Sequence, residues 1–358
     1  MLTPHLPLGH SPPAHGGPDA RGKAPHDFST NGNACGPYAP VVDALRAVDA
    51  THYPDPRYTA LRERLAAFHG VDPARIFVAA SASEFIFRIT AAVARSGGRS
   101  VQLPRHSYGD YARAASGFGL DVRDTGSDDP AEPFLADADH PSLVWHCDPS
   151  SPLGRRTVGL GRLIDELPMN VTCVLDLAYE PLRLVGSLDL GARQRGRVWQ
   201  LWTPNKALGL TGIRAAYAIS PSVESFAGSA AARESSVAEH VEILAPSWPV
   251  SAHGVALLEG WAEAGTRQWL LESRNVLREW KSAQIALCGS LGWVASPSVA
   301  NFFCVRPGGK NASVDTLAMR LRAAGIKVRD TTSFGLPGHL RLAVLDPGSQ
   351  AALAHALQ

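Results

Sequence analysis

The sequence predicts an α/β protein with two parts: a three-layer αβα large domain built on a mostly parallel sheet, and a smaller α+β domain. Short, continuously apolar segments alternate with segments of helical periodicity between residues 75 and 220, which is typical of parallel strands covered on both faces. After about residue 245 the pattern changes to a long helical region and then to mixed strands and helix. A chain of 358 residues, 45% of them hydrophobic, can bury both cores.

The elements of the larger domain follow in order along the chain. Residues 57–70 have apolar side chains at helical spacing, and Gly70 stands at the C-terminal end of the predicted helix. The strand "RIFVAA" and a helix capped near Ser83 come next. The remaining strands are predicted at "SVQLP", "SLVWHCDP", "VTCVLDLA", "VWQLWT" and "RAAYAIS", with a helix at "LGRLIDELP".

The smaller domain is predicted from a helical region over 250–287, the strand "ANFFCVR", the helix "VDTLAMRLRAAG" and the strands "IKVRD" and "HLRLAVL". We therefore expect three segments. Residues 1–26, rich in Pro and Gly, form a flexible N-terminal segment with a candidate role in capping a substrate. Residues 27–245 form the large domain, their first residues contributing to the small one, and residues 246–358 form the small C-terminal domain.

Composition excludes several classes of function. Lys and Arg number 34 against 33 Asp and Glu, so no bulk charge attracts nucleic acid or an anionic membrane. The five cysteines form no CxxC pair, which favours a reducing compartment, the cytoplasm, and argues against a metal site. No apolar run is long enough to span a bilayer, and the N-terminus has no continuous apolar signal core.

Chemically capable residues follow the predicted strands at their carboxyl ends, where α/β sheets bind ligands. "SASE" opens a helix whose first amides can hold a phosphate. The other groups at these ends are an aromatic ring, a carboxylate with a phenol behind it, and a hydroxyl three residues before an amine: Tyr108, Asp176, Tyr179, Thr203 and Lys206. Each is an ordinary residue alone, but together they are the parts that a pyridoxal phosphate site needs.

The chemistry of that cofactor explains the residue types. A lysine amine bonds to the cofactor aldehyde and later moves a proton at the substrate carbon. A carboxylate keeps the pyridine nitrogen protonated, so the ring withdraws electrons. A nicotinamide dehydrogenase is disfavoured because no GxGxxG follows the first strand, and a serine hydrolase because GxSxG is absent. A non-catalytic protein with this fold stays open as an alternative.

The ordered motifs "YPDP", "SASE", "SYGDY", "DPSSPLG", "DLAY", "TPNKALGLTGIR", "ANFFCVR" and "LRLAV" resemble the fold-type I, pyridoxal phosphate-dependent class I/II aminotransferases, over residues 15–344. Within that family the likeness is to the branch of histidinol-phosphate aminotransferase and threonine-phosphate decarboxylase. It implies Lys206 as the Schiff-base lysine, Asp176 at the pyridine nitrogen, Tyr179 at the ring hydroxyl and Tyr108 stacked on the ring. It further implies phosphate contacts from Ala82, Ser83, Thr203 and Arg214, and from Tyr53 of a second subunit in a homodimer. Arg341 would hold the carboxylate of a small amino acid substrate.

Some positions depart from the family pattern. Ser151 replaces the usual Asn of "DPSSPLG", so the usual hydrogen bond to the ring hydroxyl would pass through water or be left to Tyr179. Asn205 replaces the usual Ser before the lysine, and Ala79, Ala80 and Ser81 replace glycines. These changes affect contacts with the cofactor and leave the fine specificity open.

The branch is indicated by "HGG" at 15–17, "DFSTNGNACGP" at 27–37 and "VRDTTSFGL" at 328–336, which resemble the decarboxylase. This likeness implies His15, Gly16, Asn33 and Arg329 as further substrate-binding residues. Two reactions remain open: decarboxylation of O-phosphothreonine, and transamination of histidinol phosphate or an aromatic amino acid with 2-oxoglutarate.

Overall fold

The computed structural model describes residues 15–124, 142–308 and 313–358, and it contains a seven-stranded sheet. The strands up to residue 219 are β1 (His26–Asp27), β2 (Ile76–Ala79), β3 (Ser100–Leu103), β4 (Asp121–Asp124), β5 (Leu143–Cys147), β6 (Thr172–Asp176), β7 (Trp199–Trp202) and β8 (Ala216–Ile219). The large sheet has the order β2-β8-β7-β6-β5-β3-β4. All neighbours are parallel except that β8 runs antiparallel to both β2 and β7, which confirms the mostly parallel sheet.

Helices cover both faces of this sheet, as the unbroken apolar strands require. They are α1 (Ala39–Arg46), α2 (Thr59–His69), α3 (Ala82–Arg95), α4 (Gly109–Gly117), α5 (Leu160–Glu166), α6 (Ala192–Arg197), α7 (Pro204–Ala207) and α8 (Gly228–Ile243). Buried side chains of α3, α4 and α8 form one cluster with the strands, while α5 belongs to another cluster. A third cluster joins α2 to the C-terminal helices. The αβα arrangement is confirmed, and it places the carboxyl ends of the parallel strands together at one edge of the sheet, which the helices leave accessible.

A second, antiparallel sheet lies in the C-terminal part. The strands here are β9 (Val294–Ala295), β10 (Phe302–Arg306), β11 (Ile326–Lys327), β12 (Arg329–Asp330) and β13 (Leu340–Ala343), and the sheet order is β12-β13-β10-β9. The helices are α9 (Ala252–Trp261), α10 (Ala264–Ser290), α11 (Val314–Ala323) and α12 (Pro347–Leu357). None of the described helices is both long and apolar enough to cross a membrane.

Three details differ from the sequence prediction. The strand predicted over 326–330 is two strands, because β11 pairs with β1 while β12 pairs with β13. The helical region predicted over 250–287 is divided between α9 and α10, and α8 precedes it. The cap of α3 is Ser81 rather than Ser83: its Oγ accepts a hydrogen bond from the Glu84 amide at 3.0 Å.

The described part of the N-terminal segment, residues 15–26, is bound to the C-terminal part. The Asp19 carboxylate accepts hydrogen bonds from Arg322 Nε and Nη2 at 2.9 and 2.8 Å. Lys327 Nζ donates to the Gly17 carbonyl, and β1 follows directly. These ion pairs and strand contacts hold residues that were expected to be flexible, while the rest of that segment, 1–14, lies outside the described residues.

Candidate active site

A cavity of about 330 Å³ lies at the carboxyl ends of the large sheet's parallel strands, next to the C-terminal sheet. Thirteen of the residues predicted for the site line it, from both sheets: His15, Gly16, Ala82, Ser83, Tyr108, Ser151, Asp176, Tyr179, Thr203, Lys206, Arg214, Arg329 and Arg341. Of the predicted set, Asn33 and Tyr53 do not line it. Side chains separated by more than three hundred positions in the chain thus meet in one pocket, as the strand-end argument requires.

Lys206 lies on α7, the short helix that follows β7. Pro204 occupies the first turn of this helix, where its missing N–H costs nothing. Lys206 Nζ donates a hydrogen bond to Thr203 Oγ1 at 3.3 Å and lies 5.4 Å from the centre of the Tyr179 ring. The amine is therefore fixed in the middle of the pocket by groups that the sequence placed around it.

Asp176 is the last residue of β6 and is 5% exposed. Its Oδ2 accepts a hydrogen bond from Tyr111 Oη at 2.6 Å, and its Oδ1 accepts one from the Ala178 amide at 2.9 Å. Burial raises the pKa of this carboxyl, while the Tyr111 and Ala178 hydrogen bonds and the charge of Lys206 act in the opposite direction. The carboxyl is held rigidly where a cationic ring nitrogen would stabilise its charge.

Tyr111 is a site residue that the sequence analysis missed. Its ring stacks on Trp145 with centroids 4.4 Å apart, and its hydroxyl is the closest hydrogen-bond donor to Asp176. Tyr108 is the N-cap residue of α4 and Tyr111 lies in the first turn, with the two rings edge to face and their centroids 5.9 Å apart. The motif "SYGDY" places two tyrosines three positions apart, but the sequence does not indicate that the second one contacts Asp176.

The first turn of α3 supplies a place for a phosphate. Ala82 and Ser83 line the cavity at the helix N-terminus, where backbone amides lack helical acceptors. The hydroxyls of Ser83 and Tyr108 lie 3.1 Å apart. Arg214, an exposed residue two positions before β8 begins, also lines this cavity.

Asn31, rather than Asn33, faces the pocket. Asn33 Nδ2 donates to the Ala207 carbonyl at 3.1 Å and its Oδ1 accepts from the Cys35 amide at 3.1 Å, so its amide is occupied in bracing the Lys206 segment. Asn31 is 3% exposed, lines the cavity and donates to Tyr179 Oη at 3.4 Å. Its Oδ1 has no partner among the described residues and is available to a ligand. The sequence offered two asparagines two positions apart and no means of choosing between them.

Two buried guanidinium groups lie side by side in the pocket. Arg329 and Arg341 are paired positions of β12 and β13, and both rest on the Phe334 ring at 4.9 and 5.5 Å. Arg341 donates to Ser151 Oγ at 3.4 Å and to the Ser29 carbonyl at 3.1 Å. Burial and the neighbouring charge of Arg341 lower the pKa of Arg329 to about 10, so Arg329 remains cationic at neutral pH. This pair favours a strongly anionic ligand.

Ser151 thus has a partner that the sequence did not predict. In the described structure its hydroxyl accepts from Arg341, and Tyr179, the residue expected to take over the ring-hydroxyl contact, lies in the same pocket. The short side chain is buried, at 6% exposure. The departure from the family pattern therefore links the cofactor pocket to the arginine pair.

The "HGG" motif lies at the edge of the pocket. The ring of His15 is 6.5 Å from that of Tyr108. Gly16 passes so close to Ser29 that an added Cβ would lie 2.2 Å from its carbonyl oxygen, and the Gly17 amide donates to Ser29 Oγ at 2.9 Å. Only glycine permits this approach, so the motif has a steric reason to be where it is.

Tyr53 lies outside the pocket of its own chain. Its side chain is 77% exposed and stacks on Trp248 with ring centroids 4.3 Å apart. The contribution of Tyr53 to the site of a second subunit stays a prediction.

The residues present fit pyridoxal phosphate. The buried carboxylate with its hydrogen-bonded phenol matches the ring nitrogen of the cofactor. The amine in the same pocket matches the aldehyde, and the free amides of the helix N-terminus match the phosphate. Asp176, Lys206 and the first turn of α3 would hold the cofactor. When bound, it supplies an acceptor for the electron pair released at the substrate carbon.

Residues 28–358 match the family model described as aminotransferase class I and II. Similar curated proteins include the histidinol-phosphate aminotransferase of Rhodospirillum centenum, which is 29% identical over 92% of this chain and 90% of that protein. The histidinol-phosphate aminotransferase of Symbiobacterium thermophilum is 30% identical over 93% of this chain and 90% of that protein. Similar solved structures include L-threonine-O-3-phosphate decarboxylase from Porphyromonas gingivalis, with a TM-score of 0.75, 22% identity and coverage of 92% of this chain and 97% of that chain. Another is histidinol-phosphate aminotransferase from Sinorhizobium meliloti, solved in complex with pyridoxal-5'-phosphate. Its TM-score is 0.76 and its sequence identity 22%, with coverage of 91% of this chain and 88% of that chain. The chain belongs to the class I and II aminotransferases, a family of enzymes that use pyridoxal phosphate.

Proposed function

We propose that this enzyme acts on a small amino acid that carries a second, phosphate-type anionic group, and that it decarboxylates O-phospho-L-threonine. The observation that supports this most strongly is the pair of buried guanidiniums, Arg329 and Arg341, in the pocket that holds Lys206. A substrate with one carboxylate and one phosphate would bind to both of them. Two buried guanidinium groups that line one pocket favour such a dianion over a substrate with a single charge.

The contacts of the two arginines divide their roles. Arg341 is oriented by Ser29 and Ser151, and its Nε has no partner among the described residues, so it can bind a carboxylate. Arg329 donates to Ser333 Oγ at 2.7 Å and lines the same cavity as His15 and Gly16, and these three residues would bind the phosphate. Asn31 Oδ1, which has no partner among the described residues, supplies a hydrogen-bond acceptor in the same pocket.

The acid–base chemistry belongs to residues at the ends of β6 and β7. Lys206 Nζ, oriented by Thr203 Oγ1, is the group placed to hold and move a proton at the substrate carbon. Asp176, kept in place by Tyr111, stabilises a proton on the ring nitrogen. The described part of the N-terminal segment closes one side of the pocket and limits the access of water there.

A second candidate reaction is transamination of histidinol phosphate with 2-oxoglutarate. It is favoured by the curated relatives, of which the two named above are histidinol-phosphate aminotransferases aligned over nine-tenths of this chain. The same arginine pair would then bind the substrate phosphate in one half-reaction and the two carboxylates of 2-oxoglutarate in the other.

One set of incubations separates the two reactions. The holoenzyme is given O-phospho-L-threonine without any keto acid, and carbon dioxide is measured; L-threonine, which lacks the phosphate, is the matched control. We expect carbon dioxide from the phosphorylated substrate alone. Amino transfer from histidinol phosphate to 2-oxoglutarate, with no gas from O-phosphothreonine, would refute decarboxylation and establish the second reaction.

A further inference from the structure

A second cavity, of about 870 Å³, lies over one face of β7, where Gln200 and Trp202 project two positions apart. It lies between the C-terminal end of α2 and helix α6, and Arg274 of α10 contributes to its wall. It shares no lining residue with the active-site cavity. Trp202 packs against two separate hydrophobic clusters, so the cavity is the gap between them.

The charges around this cavity are strongly unbalanced. Four arginines line it, whereas Glu180 is the one acidic residue among its described lining residues. Glu180 already binds Arg183 at 2.6 Å, and Arg193 binds Asp165 at 2.7 Å. The other three arginines, Arg75, Arg195 and Arg274, form no ion pair within the described ranges. These three guanidiniums therefore make no ion-pair contact with a carboxylate, while the charges of Glu224 and Asp72 act on Arg75 and that of Glu180 acts on Arg274 from farther away.

The hydrogen-bonding groups show the same imbalance. Trp202 Nε1 and Arg274 Nε are buried and have no acceptor in the described part of the chain. Arg75 Nε and Arg195 Nε use backbone carbonyls, of Ser220 and Leu190, at 2.8 and 3.1 Å. Burial lowers the pKa of Arg274, the charge of Arg278 adds to this effect and the charge of Glu180 opposes it, so a bound anion would favour the charged guanidinium. Trp202 Nε1 and Arg274 Nε are therefore donors whose hydrogen bonds a ligand could accept.

The rest of the wall is apolar and partly aromatic. Phe68 and Trp261 lie with ring centroids 5.6 Å apart, and Leu188 and Leu190 line the cavity from the loop before α6. An inorganic anion alone would leave this surface in contact with water. A ligand with an apolar body would bury it.

We propose that this cavity is a second binding site, separate from the catalytic pocket, for a small organic anion whose apolar body packs on Trp202 and Trp261 and whose anionic group binds Arg195 and Arg274. The site does not depend on which reaction the enzyme catalyses. It also lies directly behind the catalytic residues, since Trp202 is followed in the chain by Thr203, the partner of Lys206.

Binding is tested by calorimetric titration of the holoenzyme with 2-naphthoate and with the neutral 2-naphthamide. We expect the carboxylate to bind at least about tenfold more tightly, since charge-assisted hydrogen bonds are lost with the amide. Arg195→Gln and Arg274→Gln should each weaken 2-naphthoate binding about tenfold for the same reason. Arg162→Gln, at an exposed position paired with Glu166, is the control and should bind as the wild type does.

The position of the ligand is tested on the unmodified protein, so the result does not depend on the folding of a variant. Crystals of the holoenzyme are soaked with 6-bromo-2-naphthoate, and the bromine is located from its anomalous signal. A peak over β7 supports the proposal. A peak only beside Arg341, equal affinity for acid and amide, or no binding of either compound overturns it.

Discussion

At the scale of single residues, the site depends on environment more than on residue type. Asp176 and Lys206 are common residues, and what makes them capable is their burial in one pocket and their hydrogen bonds to Tyr111 and Thr203. A carboxylate surrounded by protein interacts more strongly with a cation than one in water, because little solvent screens it. Single substitutions should therefore be able to remove the charge of a site residue without changing its orientation, or to remove an orienting hydrogen bond without changing the charge.

Asp176→Asn and Tyr111→Phe separate these two effects. We expect Asp176→Asn to bind pyridoxal phosphate but to lose about a thousandfold in kcat, because the charge that stabilises the protonated ring nitrogen is removed. Tyr111→Phe keeps the charge and loses one hydrogen bond, so its kcat should fall about tenfold. Cofactor absorbance and steady-state rates measure both. Near-normal turnover of Asp176→Asn would show that the carboxylate has no electrostatic role.

The pH dependence of stability has a definite sign at His146, which is 2% exposed on β5. Burial lowers its pKa from 6.5 to about 4, so between these values the unfolded chain binds a proton that the folded chain does not. Stability should therefore fall as pH decreases from 6.5 to 4, with about 3 kcal/mol of the loss due to this residue.

The measurement is urea unfolding across that pH range. His146→Gln should reduce the pH-dependent loss of unfolding free energy, whatever it does to stability at neutral pH. His52→Gln, at a position whose side chain is 82% exposed, is the matched control. The same pH dependence in wild type and His146→Gln would contradict the assignment.

At the scale of elements, the pocket is assembled by short connections. Helix α7 follows β7 at once and carries Lys206, while α3 presents its first turn because Ser81 caps it. Strand β1 pairs with β11 and brings the preceding residues to the edge of the pocket. The "HGG" segment is then held by Ser29 and Lys327, both through backbone groups of Gly17.

Gly16→Ala tests whether this segment contributes to substrate binding. The added Cβ would lie 2.2 Å from the Ser29 carbonyl oxygen, so the segment must move away from Ser29. We expect KM for the phosphorylated substrate to rise about tenfold, comparable to the loss of one hydrogen bond to a charged group, with a smaller change in kcat. Gly289→Ala on α10, where an added Cβ meets no atom within 4 Å, is the control. An unchanged KM would exclude a role for the segment in binding.

At the scale of the whole molecule, Tyr53 is the predicted site residue assigned to a second subunit, and it lies outside the pocket of its own chain. Tyr53 is exposed and stacked on Trp248, an indole that is itself 43% exposed. Exposed aromatic pairs are typical of surfaces that bind another protein. This arrangement agrees with the prediction that Tyr53 serves a second copy of the chain.

A hybrid enzyme tests this prediction. Tyr53→Ala and Lys206→Ala chains are each expected to form enzymes of low activity. In a dimer of one chain of each kind, the Lys206 of one chain meets the intact Tyr53 of the other, so random exchange of subunits should restore about a quarter of wild-type activity. If Tyr53 served its own chain, no hybrid would contain a complete site and mixing would restore nothing.

The sequence by itself determined the α/β alternation, the mostly parallel sheet and most of the pocket. These follow from local patterns: apolar runs predict buried strands, and in such a sheet the strand ends converge, so Asp176, Thr203 and Lys206 could be placed together without coordinates. Their identification with a cofactor rested on the order of the motifs.

Only the tertiary structure decided which neighbouring side chain turns inward. In the structure Asn31 rather than Asn33 lines the pocket, Ser151 accepts a hydrogen bond from Arg341, and Tyr111 donates one to Asp176. Residues 326–330 are divided between two strands. The structure also revealed the cavity over β7, whose arginines come from α6, α10 and the residue before β2. These features depend on contacts between distant segments, and the direction of a side chain there is set by packing, which a local sequence pattern does not encode.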